Sequence, residues 1–315
     1  MSGLERTVPA PGNPALPRVR PLWRRVLDFP LVALAVGLVA VFAPIVLLAH
    51  LVGRLPLDAA PNALVASATL VASTLIAVLM HKLVVTRLGL PARDDLPFDS
   101  RAADFVRGSL IAALLMSLIV LLVAMLGGYS ITGWGGSTSL AMILLGAGLQ
   151  AAFVEEIVVR GIIFRFLEDF GGSWFALALS SALFGLGHYG NENATVFSSL
   201  AIAFEAGIML GGAYMLTRNL WLAIGLHFGW NVTQGYVWDV PVSGNAVDGL
   251  VDARSHGSEL ISGGAFGVEA SIVALVLATG LGIYLVYRAV QAGHVVRPWW
   301  VRRRQAREEA AAGEI

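Results

Sequence analysis

Leu140–Leu167 reads LAMILLGAGLQAAFVEEIVVRGIIFRFL, an apolar run of 28 residues interrupted only by Gln150, Glu155, Glu156, Arg160 and Arg165. A bilayer core of about 30 Å takes about 20 helical residues. This run is therefore long enough to cross a membrane as a helix that tilts, kinks near Gly161 or projects beyond the lipid. A charge near mid-bilayer costs about 2.5–3.5 kcal/mol on insertion scales. A helix that places two acids and a base there is building a reaction or transport site.

The rest of the chain agrees with a membrane setting. Of its 315 residues, 57% are hydrophobic and 13% charged, and mean hydropathy is +0.75, against roughly 45–50% and 25% in soluble domains. The formal net charge of +0 gives no field directed at nucleic acid. The absence of cysteine removes disulfides, thiolate metal sites and cysteine nucleophiles. Lys82 is the only lysine, and abundant Ala, Gly and Val suit a GC-rich bacterial genome.

Eight apolar segments can be read: Leu31–Leu51, Ala63–Val84, Leu110–Leu126, Leu140–Leu167, Trp174–His188, Val196–Leu216, Leu220–Val237 and Phe266–Val286. Arg18, Arg20, Arg24 and Arg25 precede the first. Arg87, Arg93, Arg101 and Arg107 follow the second, Arg218 follows the sixth, and a cluster from Arg288 to Arg307 closes the chain. The alternate loops Gly127–Ser139 and Gly190–Ala194 hold no Lys or Arg, and Asp239–Gly264 sets four acids against Arg254. The positive-inside rule then places both termini in the cytoplasm, which requires an even number of spans. The expected fold is an all-α polytopic membrane bundle of about eight transmembrane helices in the inner (plasma) membrane. Residues 1–29, with five prolines, are expected to be a disordered cytoplasmic tail, and the first apolar segment a retained anchor rather than a cleaved signal. Residues 30–106 form a helical pair plus charged linker, 107–290 the membrane core, and 291–315 a basic cytoplasmic tail.

Three spacings carry the chemistry: Glu155-Glu156-x-x-x-Arg160, Phe184-x-x-x-His188 and His227-x-x-x-Asn231. At about 1.5 Å per residue, Glu155 lies roughly 21 Å, His188 roughly 22 Å and Asn231 roughly 20 Å from the basic end of their helices, with His227 at roughly 13 Å. Glu156 and Arg160 share a face and can neutralise each other. Glu155, rotated by about 100°, escapes that pairing and has the environment wanted of a general base. His50, His81, His256 and His294 fall at segment ends or in loops and are expected to be solvated or interfacial. Glu205 is a further intramembrane acid, a support of the site, a transport residue or a group reaching water at a helix end. Gly207-x-x-x-Gly211 after it reads as close helix packing.

In order and spacing these patterns resemble the EExxxR, FxxxH and HxxxN/B motifs of the CPBP (CAAX-processing and bacteriocin-processing, or Abi) intramembrane proteases, relatives of the Ras-converting CAAX prenyl endopeptidase. The resemblance covers roughly Leu140–Val237. It implies that Glu155 activates water, that His188 shuttles a proton with it, and that His227 and Asn231 stabilise the oxyanion, with Glu156, Arg160 and Phe184 in support. Family members are described both as metalloproteases and as metal-free glutamate-dependent enzymes. The residue chemistry leaves both open. Glu155, His188 and His227 are a zinc-type donor set, whereas Asn231 is a poor zinc ligand and a good oxyanion donor, so the metal-free form is slightly preferred.

The favoured function is an intramembrane endopeptidase acting on a peptide or membrane protein at a site reached from the cytoplasm. A prenylated CAAX substrate fits poorly with a bacterial source. The alternatives are an ion- or proton-coupled transporter, with Glu155, Glu205 and the histidines as a relay, and a non-catalytic scaffold or immunity protein. The lack of an internal repeat disfavours a transporter, and the intact motif set disfavours a scaffold.

Overall fold

The computed structural model describes residues 20–54, 62–90, 92–136 and 140–312. The helices are α1 (Leu22–Leu27), α2 (Pro30–Val52), α3 (Asn62–Leu83), α4 (Ala103–Met125), α5 (Leu140–Gly171), α6 (Ser173–His188), α7 (Val196–Thr217), α8 (Trp221–Val232), α9 (Ile272–Gln291) and α10 (Trp299–Ala312). Among the described residues six are long and apolar enough to cross a membrane: α2, α3, α4, α5, α7 and α9. The chain is a multi-pass helical bundle.

All eight apolar segments are helical, but α6, with 16 residues, and α8, with 12 and a further π turn at Thr233–Val237, are shorter than a full span. Ten of the twelve residues of α8 are buried, because it is a central rod walled by protein. It lies against α4 at very short range. A Cβ on Gly225 would sit 2.2 Å from the Phe105 carbonyl oxygen, and one on Gly229 2.3 Å from that of Ser109. This small-residue face lets the two backbones meet, and it fixes the rotation of α8, whose other face carries His227 and Asn231. Gly207 and Gly211 similarly bring α7 onto Ser181 and Leu177 of α6, the packing role expected of them.

Helix α5 does not run as a regular α-helix. Its α-helical centre, Ala151–Val158, is flanked by π-helical stretches at Ile143–Gln150 and Val159–Phe164, the second containing Gly161. Such widened turns often accompany functional side chains, and here they bracket Glu155 and Glu156.

Basic loops gather at one end of the bundle. Arg165, fully buried, donates to the carbonyls of Leu88 and Arg93 and to Asp95 at 3.1 Å. Asp95 also takes Arg93 at 2.8 Å and the Tyr214 hydroxyl at 3.2 Å. Burial pushes its carboxyl above the usual range despite both guanidinium groups. The linker after α3 is thus bound into the body rather than hanging free. Arg24 reaches the Arg87 carbonyl, Arg218 pairs with Glu168 at 2.7 Å, and Arg302 donates to the Asp169 carbonyl at 2.7 Å. Both described ends of the chain therefore lie at this end.

At the opposite end β1 (Tyr129–Trp134) pairs antiparallel with β2 (Val251–Ser255), in a register of Tyr129 with Ser255 and Trp134 with Val251, with a bulge between Ile131 and Gly133. This two-stranded sheet was not expected in an all-α fold. Its strands are only six and five residues long and far apart in sequence, so the brief apolar–polar alternation in each gives no sign of their pairing. Two other expectations need correction. Of the tail expected over 1–29, residues 1–19 lie outside the described residues, but 22–27 form a helical turn pinned by Arg20 and Arg24 on Asp28 at 3.0 and 3.1 Å. His81 is fully buried beneath α5 beside Gly161, not solvated.

Candidate active site

The α-helical centre of α5 separates its two acids as the 100° rotation requires. Glu156 is completely buried and accepts from Arg160 Nη1 at 2.8 Å. Arg160, equally buried, also donates to the carbonyls of Ala206 and Gly207 at 3.1 and 3.3 Å. It thereby ties α5 to the π turn of α7. The Glu155 side chain keeps 36% of its surface exposed and turns into an open cavity of about 440 Å³.

His227 on α8 joins the two acids. Its Nδ1 lies 3.1 Å from Glu156 Oε1, and its Nε2 lies 4.0 Å from Glu155 Oε2. One turn later Asn231 donates its Nδ2 to the Ala147 carbonyl at 2.7 Å. That carbonyl lies in the first π stretch of α5, so the irregular backbone orients the amide and leaves its second N–H for the cavity. His188 sits at the C-terminal end of α6, with Nδ1 2.8 Å from the Phe184 carbonyl oxygen, so that Nε2 is the nitrogen left for other partners.

Phe184 is the wedge among these groups. Its ring centroid is 4.7 Å from that of His188 and 6.1 Å from that of His227 in an edge-on contact, and the Arg160 guanidinium lies 4.6 Å over its face. A cation over an aromatic face in a dry site is held by the ring quadrupole. The spacing Phe184-x-x-x-His188 therefore places a packing residue and a polar residue on one face with one purpose.

Glu155, His188, His227 and Asn231 all line the same cavity, together with Gln150, Asn191, Ser243 and Asn245. The structure thus brings together the four candidates read from the sequence. Sequence reasoning missed the loop residues, which carry no periodic signal and arrive from two separate connections. It also missed Glu269, which is buried just before α9 and accepts from Trp230 Nε1 at 3.3 Å and from the Ser243 amide. Glu205 is 1% exposed, so it does not reach water at a helix end. Neither of its oxygens has a hydrogen-bond partner among the described residues. Glu205 and Glu269 share a small cavity of about 30 Å³ behind His188, His227 and Asn231. That volume is large enough for one water molecule.

No group of three or more His, Asp or Glu side chains assembles at metal-holding spacing among the described residues. His227 Nδ1 is turned to Glu156, itself engaged by Arg160, and His188 Nδ1 to a backbone carbonyl. These contacts leave both Nε2 atoms free and orient the two rings as metal-bound imidazoles are oriented, while no third His, Asp or Glu joins them at metal-holding spacing among the described residues.

Searches of the curated proteins and of the solved structures return no significant match. A family model does match residues 137–233, that of the type II CAAX prenyl endopeptidase Rce1-like proteins. The matched stretch opens just before α5 and closes just after Asn231, so it contains all three motifs. Over residues 137–233, and so across all three motifs, the chain is similar to the type II CAAX prenyl endopeptidase Rce1-like proteins.

Proposed function

We propose that the protein is an intramembrane endopeptidase in which Glu155 activates a water molecule for attack on a peptide carbonyl. The observation behind this reading is the convergence of Glu155, His188, His227 and Asn231 on one water-sized-to-peptide-sized cavity within an apolar bundle. Glu155 takes the water's proton as the oxygen adds to the carbonyl carbon. The proton then passes by way of His188 to the leaving amine, and the C–N bond breaks. His227 Nε2 and the free Asn231 N–H are the donors for the developing oxyanion. Because Glu156 accepts from Nδ1, donation from Nε2 calls for an imidazole protonated on both nitrogens. Glu156 and Arg160 hold that ring in place, and Phe184 fills the space beside it. Residues 107–290 act as the protease core, with the α2–α3 pair packed on its α5 side.

No metal takes part in this scheme. Losing one oxyanion donor in Asn231→Ala is expected to lower kcat by about 10²–10³ with little change in KM, measured on purified enzyme with a cleaved peptide. A proton relay has no use for this amide, so a silent Asn231→Ala would favour transport. Activity is expected to survive chelation. One zinc per active chain by elemental analysis, lost and regained with activity, would contradict the metal-free scheme.

The orientation that accompanies this reading has the basic end in the cytoplasm. Single cysteines introduced into the cysteine-free chain report it directly. One placed within 94–104 is expected to react with a membrane-impermeant thiol reagent only from the cytoplasmic side, and one within 248–258 only from outside. The reverse pattern would invert the molecule.

A further inference from the structure

The cavity does not open where the sequence suggested. Cytoplasmic access requires a mouth at the basic end, yet the wall residues beyond the helices are Asn191, Val242, Ser243, Asn245, Ala246 and Val247. These belong to the connection after α6 and to the loop between α8 and β2, both at the end that carries the two-stranded sheet. The two connections are stitched together, Asn191 Nδ2 to the Ser243 carbonyl at 3.0 Å and Asn193 Nδ2 to the Gly244 carbonyl at 3.1 Å, forming a rim. The third wall is the first π stretch of α5, from Ile143 to Gln150. The basic end, by contrast, is closed by Arg165, Asp95, Tyr214 and Glu168, all buried.

We infer that substrate reaches the site from the extracytoplasmic side, and that it is an exported peptide or the outward juxtamembrane segment of a membrane protein. The inference rests on the protease reading above. It joins two independent observations, the position of the mouth and the accumulation of arginine at the other end. Charge adds a requirement. The outer loop over 239–259 carries Asp239, Asp248, Asp252 and Glu259 against Arg254, a surface that attracts neutral or basic segments and repels acidic ones.

The test compares protein termini in membranes of cells making the full-length wild-type protein or Glu155→Gln, at matched levels. New termini that depend on Glu155 are expected to map to extracytoplasmic segments, within a few residues of a membrane boundary and depleted in acidic residues. Termini mapping to cytoplasmic segments would overturn the direction of access while leaving the protease reading intact. No Glu155-dependent termini would defeat the protease reading itself. Ser243→Cys supplies a second measure that needs no substrate. It is expected to react with an impermeant thiol reagent added outside intact spheroplasts, and reaction only after the cytoplasmic face is opened would also overturn the inference.

Discussion

Glu155→Gln is expected to abolish peptide-bond cleavage while the protein still inserts and folds. An amide has nearly the size of the carboxylate but cannot accept the water's proton. The Glu155 side chain is 36% exposed, and its one ionic contact among the described residues is the 4.0 Å approach to His227, so little folding energy depends on its charge. Glu155→Ala is expected to be equally inactive. The measurement is turnover of a membrane peptide by purified variants, alongside thermal unfolding in detergent. A fully active Glu155→Gln would end its assignment as general base.

The largest effect on stability is expected at Arg160. Both it and Glu156 are completely buried, and removing one partner of such a pair leaves an uncompensated charge, typically costing about 3–5 kcal/mol. Arg160→Ala would also strip the carbonyls of Ala206 and Gly207 of their donor and the Phe184 ring of its cation. It is therefore expected to destabilise the bundle strongly. The double variant Glu156→Leu/Arg160→Leu is expected to recover much of the loss, because two apolar side chains replace a desolvated pair, yet to remain impaired in catalysis, because His227 loses its anchor. Unfolding curves in detergent measure both effects. An Arg160→Ala protein as stable as wild type would show that the pair carries no structural weight.

These expectations were partly legible in the sequence, for reasons that differ from residue to residue. Helical spacing is rigid, so the separation of Glu155 from the Glu156–Arg160 pair followed from a rotation alone. Helices of alternating direction share one length scale, and Glu155, His188 and Asn231 line one cavity. Loops have no such ruler. Asn191, Ser243 and Asn245 reach the cavity through turns whose conformation depends on tertiary contacts, and the direction of the mouth depends on those same turns. Glu269 was hidden because one acid in the first turn of an apolar segment, here Phe266–Val286, ordinarily reads as an interfacial residue. His81 was misplaced for the converse reason. Its position near a helix end suggested water, but the packing of α3 against α5 closes over it. The π stretches were signalled only by Gly161 and by the excess length of the run, which fixes that α5 must deviate but not how.

The central claim is that Glu155 directs water onto a peptide bond within the membrane domain. Its most direct test is cleavage in water enriched in oxygen-18, followed by mass spectrometry of the new carboxyl termini. Wild-type protein, stripped of metal by chelation, is expected to place one solvent oxygen in each new terminus, and Glu155→Gln to yield no such termini. Equal amounts of labelled product from both proteins would contradict the account.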